Sequence, residues 1–75
     1  MKTVYLWVRQ DGEQPKAIQA GATPPGPGKV VAVEASSSRE ARELYALSVR
    51  AVNEEQDPDG WFETRKAQRR VREVK

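Results

Sequence analysis

Residues 3–9 alternate with period two: Val4, Leu6 and Val8 fall on one face, and Thr3, Tyr5, Trp7 and Arg9 on the other. β-Branched and aromatic residues at that spacing predict a strand. Asp11-Gly12 follows, a dipeptide suited to the positive φ angles of a tight hairpin turn, and a second strand is expected over about residues 16–20. Pro15 cannot donate to a ladder, so that strand should begin after it and lie at a sheet edge. The glycines and prolines of residues 21–28 read as a loop. Residues 30–35, Val-Val-Ala-Val-Glu-Ala, are apolar on both faces and predict a third strand, central in the sheet.

The period then changes. Ser37 is placed to cap a helix, with Glu40 at the third helical position to return a bond to the cap's own N–H, the capping box. The helix is expected over residues 38–54, with Ala41, Leu44, Tyr45, Ser48 and Val52 on one stripe and Leu47, Val49 and Ala51 beside it. Arg39 with Glu43, and Arg50 with Glu54, would pair at one-turn spacing. Asp57-Pro58-Asp59-Gly60 reads as a type I turn that stops this helix. Residues 61–75 fit a second helix better than a strand, with a thin apolar stripe of Thr64, Ala67, Val71 and Val74.

These elements predict an α+β fold, a small two-layer domain. Its three-stranded, mainly antiparallel sheet carries one packed helix (β-β-β-α), followed by a basic C-terminal helix or arm. Residues 1–60 would be the compact domain and 61–75 the arm. Val4, Leu6, Val8, Val31, Val33, Leu44, Tyr45 and Val52 would form the core. The order of three strands and a helix, with its Val-Glu-Ala-Ser passage, resembles many small bacterial and phage domains in pattern alone. Such likeness does not carry function.

Composition narrows the chemistry. Seventy-five residues make one small domain with little margin of stability. There is no cysteine and no histidine, which excludes disulfides, thiolate metal sites, the usual zinc ligands and the usual general base near neutral pH. The apolar run at the N-terminus is short and broken by Arg9, and no stretch approaches the roughly 20 apolar residues of a membrane span. A soluble cytoplasmic protein that is not an enzyme is therefore expected, with no metal, no cofactor, no membrane and no small-molecule substrate.

Three motifs lose to simpler readings. Gly28-Lys29 lacks both the glycine five residues earlier and the following Ser/Thr of a phosphate loop. Glu55 to Gly60 resembles the start of a calcium loop, but its twelfth position is Lys66 and Pro58 stiffens it. Ser36-Ser37-Ser38 has no base to activate a nucleophile, and capping accounts for it.

Charge supplies the functional hint. Residues 1–60 hold seven Lys/Arg against nine Asp/Glu, whereas residues 61–75 hold six against two. The six are Arg65, Lys66, Arg69, Arg70, Arg72 and Lys75, a density that matches the electrostatic part of nucleic-acid binding. On one continuous helix, Arg65, Arg69 and Arg72 would share a side and Lys66 and Arg70 an adjoining one. The bland alternative is a solvated helix face. Tyr5 and Trp7 form a second candidate, an aromatic platform for bases or for a protein partner if their face is open. The proline loop or the basic arm, with Trp61-Phe62, could instead cover them. The expected function is a non-enzymatic regulatory or accessory module whose arm contacts nucleic acid or a nucleic-acid-bound partner. The alternative is a protein-only module, an inhibitor, adaptor or structural subunit, that uses the Tyr5/Trp7 face, Trp61 or a sheet edge. A homodimer would suit either.

Overall fold

The computed structural model describes residues 1–74; Lys75 lies outside the described residues. Its elements run β1 (Lys2–Arg9), β2 (Lys16–Ile18), β3 (Gly28–Ala35), α1 (Ser38–Ser48), α2 (Pro58–Arg70) and β4 (Val71–Val74). All strand pairs are antiparallel and the sheet order is β2-β1-β3-β4. The α+β class holds; the sheet has four strands where three were expected, and a second helix packs on the domain where a basic C-terminal helix or arm was expected.

The alternation of β1 sets the layers. Val4 pairs with Val33 and Leu6 with Val31, which puts Val4, Leu6, Val31, Val33 and Ala35 on one face. All five are buried there against Ala41 of α1, with Val8, Ala17, Leu44, Tyr45 and Val71 packed around them. Val8, Leu44 and Tyr45 are half-buried rather than central, and Val52 stands outside this cluster. Small residues let the helices approach: Ala41 is 0% and Ala67 1% exposed.

Four local expectations need correction. The hairpin after β1 is not tight. Pairing starts at Trp7 with Lys16, while Val8 and Arg9 stay on β3 opposite Lys29 and Gly28. Asp11 turns the chain by accepting from the Glu13 N–H at 3.0 Å, and Pro15 has no N–H to extend the ladder. Second, α1 stops at Ser48, six residues early. The Ser48 hydroxyl donates to the Tyr45 carbonyl at 2.6 Å, and the Arg50 N–H donates to Leu47 at 3.2 Å, a tightened last turn. Arg50 consequently pairs with Asp57 at 3.3 Å instead of Glu54, while Arg39–Glu43 forms at 3.5 Å.

Third, Asp57-Pro58-Asp59-Gly60 opens a helix rather than closing one. Asp57 caps α2 by accepting from the Gly60 N–H at 3.0 Å, and Pro58 takes the first helical position, where no N–H is needed. Fourth, residues 71–74 are not helix. Val71 turns to φ −112°, ψ 130° and pairs with Val33, and the chain becomes an edge strand with no intervening loop. Residues 61–74, set apart in sequence as an arm, thus supply most of α2 and all of β4.

The capping box at α1 is shifted by one residue. Ser37 Oγ accepts from the Glu40 N–H at 3.2 Å, but the Glu40 carboxylate accepts from the N–H and hydroxyl of Ser36, at 3.1 and 3.0 Å. Those two bonds, the backbone one first, hold the Glu40 carboxyl below its ordinary value of 4.5, with a smaller pull from Arg70. A lowered carboxyl stabilises the fold above the unfolded value, and that contribution is lost as pH falls through the folded one. Glu40→Gln should therefore flatten the acid limb of stability, read as urea midpoints from about pH 5 to about pH 2. An acid limb identical to that of the parent would show that these bonds carry no linkage.

Candidate nucleic-acid interface

Helix α2 buries Thr64 and Ala67 against the domain, which turns the residues near the opposite side outward. Phe62, Arg65, Lys66 and Arg69 stand at i, i+3, i+4 and i+7, one stripe of a helix with 3.6 residues per turn. Together with Trp61 they line a surface groove. Trp61 is half-buried, whereas Phe62 is 63% exposed. The two rings meet edge to face, 5.7 Å between centroids at 83°. The Arg65 guanidinium sits over the Trp61 ring at 5.8 Å from its centroid, a cation–π contact that orients the side chain while leaving its donors for solvent or a ligand.

The carboxylates of this region do little to neutralise the stripe. Glu63 reaches Lys66 at 4.0 Å, with both side chains more than 60% exposed, a pair of small energetic weight. Glu73 is engaged elsewhere, accepting from Lys29 Nζ at 3.0 Å. That bond, ahead of the influence of Tyr45, raises the Lys29 pKa. Arg65 and Arg69 have no carboxylate within 4.0 Å among the described residues. Arg69 and Arg70 also lie in the last turn of α2, where a cation complements the helix dipole. Part of the basic content is accordingly explained by helix stability alone.

The six cations singled out in the sequence do not share one surface. Arg65, Lys66 and Arg69 stand together on the groove. Arg70, at the end of α2, lies near enough to Glu40 to act on its titration. Arg72 pairs across from Ala32, hence on the sheet face that carries Tyr5, away from the helices. The shared side of Arg65, Arg69 and Arg72 fails because the helix ends at Arg70. Lys75 falls outside the described residues. Phe62 enters as a groove residue that the charge pattern did not single out. Its signal was the one-turn spacing to Arg65, Lys66 and Arg69.

The Tyr5/Trp7 face is not an open platform. Trp7 is 8% exposed. Its six-membered ring lies against the proline loop so closely that a Cβ at Gly26 would come within 3.2 Å of it. Arg9 closes another side, its guanidinium 5.3 Å from the ring centroid. The cover is therefore the loop; Trp61 and Phe62 belong to the helical layer. Tyr5 stays half-buried between Ile18 of β2 and Ala32 of β3.

Among the described residues, no group of three or more His, Cys, Asp or Glu is placed to hold a metal ion, and no helix is long and apolar enough to cross a membrane. The Asp57 carboxylate of the calcium-like stretch is taken up by the Gly60 N–H and the Arg50 guanidinium. No family model, curated protein or solved structure compared with the chain matches it.

Proposed function

We propose that this chain is a non-enzymatic accessory module that binds nucleic acid, or a partner already carrying it, through the outer face of α2. The observation that carries the reading is the convergence of Arg65, Lys66 and Arg69 on one groove beside two aromatic rings. Cations at one-turn spacing match a phosphate backbone, and guanidinium groups can fork onto phosphate oxygens. The protein-only alternative draws support from the two edge strands, β2 and β4, each paired on one side and able to accept an added strand.

The test is a titration of the full chain with labelled oligonucleotides across a salt series. Three phosphate contacts imply a log–log salt slope of about −2 to −3, and affinity in the range of about 1–100 µM near physiological salt. Reversing Arg65, Lys66 and Arg69 to glutamate should weaken binding by more than about tenfold at low salt and remove most of the slope. Unchanged affinity in the reversed variant would sink the reading. Absence of binding by the parent chain at low salt would turn the search to a protein partner at the sheet edges.

A further inference from the structure

We infer that the ligand of the α2 groove is single-stranded nucleic acid, with one unstacked base resting on Phe62 and its flanking phosphates on Arg65, Lys66 and Arg69. The inference rests on the nucleic-acid reading above and goes beyond it by naming the strand state and the residue that selects it.

Three features point this way. Phe62 is 63% exposed, although Thr64 and Ala67 of the same helix are almost fully buried, so its ring is not needed to close the core. The ring is also not isolated. Trp61 meets it at 83° and builds a corner, while Arg65 covers the Trp61 ring and leaves Phe62 as the more open aromatic surface. Finally, the cations begin one turn beyond the ring. Seven residues separate Phe62 from Arg69, about 10 Å along a helix rising 1.5 Å per residue, a span suited to a few nucleotides.

Chemistry then decides between strand states. In a duplex the base faces are stacked inside, and a protein meets only base edges in the grooves and the sugar–phosphate backbone. Arg65, Lys66 and Arg69 would serve such a ligand without any help from Phe62. In a single strand every base has a free π-face, and stacking on an aromatic ring is favourable whatever the base. The apolar ring beside the cations therefore has a role with unpaired bases that it lacks with paired ones.

The experiment compares a labelled 15-nucleotide oligothymidine with a 15-base-pair duplex, titrated with the full parent chain, Phe62→Ala and Phe62→Tyr. The parent should bind the single strand more tightly than the duplex. Phe62→Ala should lose about 5- to 150-fold in single-strand affinity, the range for removing one base stack. Its duplex affinity should stay within about twofold, because the phosphate contacts remain, and its single-strand salt slope should be unchanged. Phe62→Tyr, which keeps the ring, should retain the parent's preference. Circular dichroism checks that the variants fold. Equal parent affinity for both strand states, with Phe62→Ala neutral on each, would overturn this inference while leaving nucleic-acid binding intact. No binding of either oligonucleotide by the parent would overturn both. Displacement of bound oligothymidine by an acidic peptide more strongly by weight than by unlabelled oligothymidine would reassign the groove to a protein ligand.

Discussion

Leu6→Ala is expected to leave the domain at the margin of unfolding at room temperature. Leu6 is fully buried at the centre of the sheet, paired with Ala17 on one side and Val31 on the other. Truncating such a leucine typically costs about 2–5 kcal/mol, part lost transfer energy and part cavity. A domain below about 80 residues rarely gains more than about 3–5 kcal/mol from its core, so the loss and the total are of the same size. Its fully buried neighbours have little freedom to fill the gap. Val31 and Val33 are β-branched and at most 1% exposed, and Ala41 on the overlying helix has no length to extend. Urea unfolding followed by circular dichroism should show a midpoint reduced by more than half, or no folded baseline at all. A midpoint close to that of the parent would mean the sheet's centre lies elsewhere.

Gly28→Ala should cost about 2–3 kcal/mol and open the cover over Trp7. Gly28 starts β3 at φ +145°, a region L side chains rarely adopt. A Cβ there would collide with the Val8 carbonyl oxygen of β1 and approach Trp7 Nε1 to 2.9 Å. The first obstacle is backbone already held in the β1–β3 ladder, so relief requires the strand ends to separate. That movement would lift the proline loop from the Trp7 ring and shift tryptophan emission to longer wavelength. Gly12→Ala is the matched control. Gly12 also has positive φ, 85°, but a Cβ there meets nothing within 4 Å, so only the conformational cost of about 1–2 kcal/mol applies, with no change in emission. Equal effects at the two positions would show that steric contact at Gly28 contributes nothing.

How far the sequence revealed this fold depended on whether a local signal had one meaning or two. The alternation of residues 3–9 and the doubly apolar run at 30–35 could be satisfied only by strands buried against a second layer, and both are. Ser37 has one use before a polar–apolar helix pattern, as its cap. Asp57-Pro58, by contrast, halts a preceding helix and equally caps a following one. The tightened turn at Ser48 had already ended α1, so the second use prevails. The join of α2 to β4 carries no glycine or proline. What makes residues 71–74 a strand is the free edge of β3, a tertiary fact with no trace in the tail itself. The same join limits what charge could reveal about the candidate groove. Arg65, Lys66 and Arg69 fall together on any helix, but the placement of Arg70 and Arg72 depends on where that helix stops.

Strand β4 also bears on how the protein behaves when concentrated. An edge strand is a template for pairing with its own copy, and such pairing grows into aggregates unless something opposes it. Two antiparallel registers set three of the four β4 residues against a copy with matching faces. One places Arg72 opposite Arg72, the other Glu73 opposite Glu73. Like charges directly across a ladder repel, and either register places that repulsion at its centre. At the far edge, β2 is three residues long and Pro15 precedes it, a short template for a second copy. Charge at one edge and brevity at the other thus weaken self-pairing in these registers, although both edges of the sheet are free.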